Sequence, residues 1–506
     1  MSKAAVLQSI FIPAPIGGIN KQDNMVQMPL TDARTLANYF CYPWGIIERA
    51  AVQTVVSNIQ ATDFIPVQGD SGDDRLLIVA TNNTVVRLDT TDDTTPTDVT
   101  NTATITNTAA VYWTHFNNRV FFVNEVDVPW LYSRAAGNCS QASFTGPTGG
   151  GTAIAHCWNY KSRLYLLDGL SGTETRVWYG AVDAISGTFS QVDFAGVLKD
   201  GGYLLCGTSW SFNQGLGIEE LFVLFSTTGE VLIYSGDNPG AANWQIISRT
   251  KIPRPVGRGC LSFVGDEVFV NTEAGLYSLR ELFTTGQQNR SKISFTKKLF
   301  YDDRAAFSNK GIAPSFDTPF LFGNALSETS LYAMNYETGA WSQLNYAVAI
   351  GAIGTYRDHV FFGNSAGNGI YRQPINTIGN YPDAGETSGA ASTVTAWSTP
   401  WFDYGSSNVK RIVKIDVIGR EPVEFTFRHG AYCTVDFGFT DGVGGSSSSA
   451  VSTGSLTGTV ATQGYILELR PVGVGRYISI NLTKTPDGEV CSIAGIKVWY
   501  EEGGIQ

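Results

Sequence analysis

General acid–base and metal chemistry need side chains that converge, and this sequence supplies few. It holds four histidines. His115 and His156 each precede a strand-like run, but at different offsets, and neither has a second ligand at metal-binding spacing, so both read as packing residues. Carboxylate doublets occur at Asp73-Asp74, Asp92-Asp93, Glu219-Glu220 and Asp302-Asp303. Neighbouring side chains of an extended chain point to opposite faces, so a doublet is not a catalytic pair. A glycosidase would need two carboxylates from distant segments about 5 to 9 Å apart. Gly17-Gly18 and Gly149-Gly150-Gly151 lack the Lys-Ser/Thr that opens the helix of a phosphate loop and read as turns. The seven cysteines, Cys41, Cys139, Cys157, Cys206, Cys260, Cys433 and Cys491, stand singly, the pattern of buried thiols in a reducing compartment. The expectation is a protein that is not an enzyme, with no catalytic, cofactor-binding or metal-binding residue to assign and no cofactor.

The elements that would carry any site are strands. Charged residues are 16% of the chain, 55 glycines punctuate it, and tracts of Thr, Ser and Asn separate short apolar runs. With 506 residues, two or three structural units are expected. No apolar run approaches the roughly 20 residues that span a bilayer, and no charged-then-apolar leader opens the sequence, so a soluble, unexported protein without a membrane span is expected.

A hairpin pattern recurs between residues 60 and 380. Phe116 to Phe122, Tyr160 to Leu166, Val264 to Val270 and Tyr356 to Phe362 each join an apolar residue, a polar turn and a β-branched or aromatic run. A second turn follows seven or eight residues after the anchors Leu76, Leu164, Leu221, Val268 and Leu331, at Asn83, Gly172, Gly229, Gly275 and Gly339. With Val120 and Val360, the seven anchors are spaced near the 40 to 50 residues of a propeller blade. The fold class predicted is all-β: a six- or seven-bladed β-propeller over 58–380, with an insertion at 283–319. A C-terminal antiparallel β-sandwich or barrel is expected over 381–506, where strands such as Arg411 to Ile418 and Tyr477 to Leu482 alternate polar with apolar. Gly442 to Ser455 reads as a flexible loop within it. Residues 1–57 lack the repeat; a Pro-rich extended segment precedes a short helix, Thr31 to Tyr39, with Thr31 or Asp32 as its cap.

Charge is uneven. Of the net −11, the middle of the chain carries −10, yet residues 251–310 hold ten Lys or Arg against six carboxylates. These ten, among them Lys297 and Lys298, are expected to meet solvent or acidic protein surface.

Ile16-Gly17-Gly18-Ile19-Asn20, Met28-Pro29-Leu30-Thr31-Asp32-Ala33, Leu36 to Tyr39 and Glu48-Arg49 resemble the start of tail nozzle proteins of short-tailed bacteriophages. These are also called tail tubular protein B or phage stabilisation protein. Gly229 to Gly236, Asn243-Trp244, Pro255 to Arg258, Ser398 to Gly405 and Gly495 to Gly504 are similar to further stretches of the same proteins, whereas Cys41-Tyr42-Pro43-Trp44 departs from their acidic-aromatic run. The resemblance implies a homohexameric ring in the virion tail, assembled in the bacterial host cytoplasm. It would lie below the portal and a tail adaptor protein, possess no catalytic residues, and extend the channel through which duplex DNA passes without tight binding. Tail fibres or tip proteins are further partners. Assembly contacts are placed at Ile16, Asn20, Pro29, Asp32, Arg49, Trp401, Asp403, Lys297 and Lys298. A receptor- or glycan-binding virion protein and a propeller glycoside hydrolase are the alternatives.

Overall fold

In the strand Arg119–Val123 every second side chain points the same way, and Val120, Phe121, Phe122 and Val123 are all buried. A strand apolar on both faces needs a sheet packed against each of them. Val120 and Phe122 join Leu77 and Val79 of the preceding sheet, while Phe121 and Val123 join Leu164 and Leu166 of the following one. Repeating that arrangement around a ring gives the architecture.

The structure, a computed structural model, describes residues 6–24, 26–50, 52–67, 74–90, 94–106, 108, 111–213, 218–265, 267–285, 307–315, 317–325, 329–375, 394–406, 408–419, 431–438, 447–450, 466–469, 474–484 and 492–503. Among these residues seven antiparallel sheets form the blades of a β-propeller. Their innermost strands are Ala61–Val67, Tyr112–Phe116, Ile154–Tyr160, Leu204–Asn213, Leu261–Val264, Phe307–Pro314 and Ile350–Tyr356, which define blades 1 to 7 in that order. Blade 5 has three described strands; the helix Leu279–Thr285 follows the last of them and buries Leu279 and Leu282 against blade 4. Ser278 caps that helix, its hydroxyl accepting from the Glu281 amide. Blade 7 takes its outermost strand, Gln53–Val56, from the N-terminal region, which closes the ring.

The recurrent hairpins are the tight connections between first and second strands. Asn117 and Asn118, and again Lys161 and Ser162, have both central residues at positive φ, the requirement of a two-residue turn that matches strand twist. The anchor at Leu331 is a correction: it lies on Ser330–Asn335, the third strand of blade 6, and the second is Phe320–Ala325. With Leu321 as anchor, the gap of 63 residues before it falls to 53 and the gap of 29 after it rises to 39.

Both chain ends build one two-sheet body. Leu7–Pro13 pairs with Ser492–Gly503, which pairs on its other side with Val409–Gly419. The second sheet is continuous with blade 6, whose outer strand Ala340–Asn345 is followed by Thr35–Ala37, Thr395–Ser398, Tyr477–Lys484, Ala431–Gly438 and Ser447–Ala450. Between the sheets, Ile12, Tyr39, Trp397, Ile415, Ile480 and Val498 share a core with Trp341 of blade 6. Two expectations are corrected. The stretch Thr31 to Tyr39 is no helix but the strands Asp32–Ala33 and Thr35–Ala37 with Asn38 at φ 63°, and part of the loop expected at Gly442 to Ser455 is the strand Ser447–Ala450.

Candidate functional site

The seven innermost strands surround a central cavity of about 1130 Å³. Two glycines let them come close. A β-carbon on Gly354 would meet that of Phe64 at 2.4 Å, and one on Gly207 would meet the Trp158 ring at 2.5 Å.

One end of the cavity is crossed by ion pairs between non-adjacent blades. Strand Phe307–Pro314 of blade 6 bulges, and Lys310 sits there at φ 57°. Its ammonium reaches Asp63 of blade 1 at 2.5 Å, donates to the Val111 carbonyl and lies 4.8 Å from the centre of the Tyr112 ring at the start of blade 2. Asp63 also accepts from Trp113 Nε1 at 3.1 Å, and Asn309 Nδ2 donates to the Tyr112 hydroxyl at 3.3 Å. Arg258, just before blade 5, pairs with Glu125 of blade 2 at 2.7 Å. Lys310 and Arg258 therefore tie blades 5 and 6 to blades 1 and 2. His156 lies among them, its ring 5.7 Å from that of Tyr112, and burial together with the Arg258 and Lys310 charges pushes its imidazole down to about 3. Its Nδ1 is buried without a hydrogen-bond partner among the described residues.

The basic stretch is thereby accounted for in part. Lys251 meets Asp200 at 2.7 Å, Arg254 meets Glu273 at 3.7 Å and Arg280 meets Glu267 at 3.9 Å, so all five described members, with Arg258 and Lys310, face carboxylates of their own chain. Lys297 and Lys298 lie outside the described residues.

Several residues placed at assembly contacts are engaged internally. Asn20 and Asp32 are buried, and Asn20 Nδ2 donates to Asp32 at 2.7 Å, bridging the strands Gly18–Ile19 and Asp32–Ala33. Arg49 donates to Asn38 Oδ1 at 2.8 Å and to the Asn345 carbonyl at 3.0 Å, and stacks 5.0 Å from the Tyr346 ring, so it fastens the N-terminal segment to blade 6. Trp401 is half-buried under the Arg34 guanidinium at 5.7 Å, and Asp403 is a turn residue accepting from the Gly405 amide. Ile16 is half-buried, and Pro29 is exposed.

A surface not anticipated from the sequence lies on the outer face of the first sheet of the two-sheet body, the platform. The strand Leu7–Pro13 is at its edge, and Leu7 and Phe11 are each 50% exposed. Across the register, Ser9 faces Trp499, whose ring lies between Lys497 at 4.2 Å and Lys414 at 5.0 Å and donates from Nε1 to Asp416 at 2.6 Å. The signal was present in the spacing of Leu7, Ser9 and Phe11, with period two and no repeat partner.

No family model matches the chain, and no curated protein does. Among solved structures it is similar to the β-propeller domain of Cps50 (Swd1) from Myceliophteria thermophila, at 12% identity and a TM-score of 0.43 over 64% of this chain and 100% of that one. YCF48 from Cyanidioschyzon merolae gives 11% identity and a TM-score of 0.40 over 64% and 98%. Among the described residues no helix is long and apolar enough to cross a membrane.

Proposed function

We propose that the chain is a structural subunit of a short-tailed bacteriophage, one of six copies forming a nozzle ring that continues the DNA channel below the portal and adaptor. In this reading it has no catalytic role. The observation that supports it best is the platform: both ends of the described chain are woven into one body that shares a continuous sheet with blade 6, while its strand Leu7–Pro13 has one side unpaired among the described residues and carries exposed apolar residues. A body joined to a blade through a sheet transmits orientation, as a ring subunit must, and an exposed edge strand is a ready template for a neighbouring chain. The platforms make the ring and the propellers project from it. The adaptor lies above, and fibres or tip proteins attach at the distal side.

Electron microscopy of the purified chain tests this directly. Class averages with sixfold rotation and a hexamer mass by light scattering are expected, and a protein that stays monomeric at every concentration up to the limit of its solubility would overturn the reading.

A further inference from the structure

Cys206 lies on the innermost strand of blade 4 and Cys260 just before that of blade 5. Their sulfurs are 3.6 Å apart, in contact across the interface between the blades. Both residues are fully buried in the apolar cluster that this interface encloses. Cys41 and Cys157 behave differently, donating instead to the carbonyls of Pro15 and Phe121, each at 3.8 Å. The pair is held from both sides. Arg258, two residues before Cys260, donates to the carbonyls of Leu204 at 3.3 Å and Leu205 at 2.8 Å, the residues immediately before Cys206, and the Cys260 carbonyl accepts from the Asn271 amide at 2.8 Å.

We propose that Cys206 and Cys260 form a latent disulfide, a modification site at which two-electron oxidation staples blade 4 to blade 5. The junction suits a staple. Among the described residues, blades 4 and 5 share no ladder and blade 5 has three strands. The sulfurs need close only from 3.6 Å to the roughly 2.05 Å of a disulfide.

The oxidant is a small-molecule disulfide such as oxidised glutathione. One cysteine thiolate attacks it and releases one molecule of thiol, forming a mixed disulfide; the second thiolate attacks the protein sulfur of that adduct and releases the other. Two protein thiols lose two electrons and two protons, and one disulfide is reduced to two thiols. Burial raises the Cys206 thiol well above its usual range, so thiolate is scarce in the closed blade. Exchange therefore proceeds through transient opening of the interface and speeds up under mild destabilisation.

The test uses the full chain, incubated with oxidised glutathione in sub-denaturing urea, returned to buffer, then denatured for thiol titration and digested without reductant for peptide mapping. Free thiols are expected to fall from seven to five, with one cross-linked peptide containing Cys206 and Cys260, and the oxidised protein should melt at a higher temperature than the reduced one. Retention of all seven thiols, a cross-link joining either cysteine to a different partner, or a lower melting temperature would each overturn the proposal. Cys206→Ser and Cys260→Ser, tested separately, should each abolish the cross-link. The parent protein decides the question even if a variant fails to fold.

Discussion

Lys310 combines a backbone cost with an electrostatic return. A lysine at φ 57° pays about 1–2 kcal/mol relative to ordinary strand geometry, and the bulge that imposes it carries the ammonium to Asp63, which is largely buried. Removing the cation while keeping the chain, in Lys310→Met, leaves Asp63 with the Phe64 amide and Trp113 Nε1 as neutral donors and without the counter-charge Lys310 supplied. The expected loss is about 2–3 kcal/mol in urea unfolding, and Asp63→Asn in the same background should recover part of it because the orphaned charge is gone. Nearby, His156 is neutral in the folded chain down to about pH 3, whereas an unfolded histidine takes up its proton near 6.5. Between those values the unfolded chain binds the extra proton, so stability falls as pH drops below about 6.5. His156→Gln should flatten that acid limb by up to about 1.4 kcal/mol per pH unit; an unchanged slope would mean the imidazole protonates normally in place. The pairing of Asp63 with Lys310 was half legible. The sequence shows an acidic early stretch and a basic later one, but not that the ring brings them face to face.

Elements divide by how local their causes are. Hairpins closed by Asn117-Asn118 or Lys161-Ser162 were readable because two adjacent turn residues and two short apolar runs specify them without help. Blade 6 misled because Leu331 and Gly339 repeat the same signals one strand later, between its third and fourth strands. The segment Thr31 to Tyr39 misled for the opposite reason. Leu36, Tyr39 and Phe40 have helical spacing behind a capping residue, yet the strand Thr35–Ala37 pairs with Thr395–Ser398, some 360 residues away, and such a partner is invisible in local spacing. The same non-locality governs Gln53–Val56. Deletion of residues 1–57 removes the outer strand of blade 7 with the buried Val55 and Val56. The geometry predicts that the remaining propeller aggregates or melts at a markedly lower temperature, visible by circular dichroism. At the inner strands, Gly354→Ala places a carbon 2.4 Å from the Phe64 β-carbon and should cost about 1–3 kcal/mol through overpacking.

Whole-molecule behaviour turns on which surfaces remain for partners. The five described cations of the basic stretch are matched within the chain, so the molecule keeps its net −11 with no counter-patch from those residues. In the proposed ring, Leu7 and Phe11 at the platform edge are apolar groups that would meet a second copy. Phe11→Asp should leave the fold intact, since the side chain is half exposed, and shift the ring toward monomer by adding a charge to the contact. Sedimentation velocity distinguishes this from a ring that ignores the change. In the proposed ring, six copies at −11 each would carry −66, and a field of that sign would repel duplex DNA, whose phosphates ordinarily bind basic surfaces by releasing counterions. Repulsion would suit the proposed conduit, because a wall that gripped phosphates would slow the passage of a genome. The isolated protein should therefore bind duplex DNA more weakly than the roughly 10⁻⁴ to 10⁻⁶ M of non-specific binders at physiological salt. Lys297 and Lys298 are the residues whose chemistry opposes this. Tight, salt-sensitive retention in a gel-shift assay that disappears in Lys297→Glu/Lys298→Glu would show that the pair grips the backbone, and the conduit would then have to work by contact instead of repulsion.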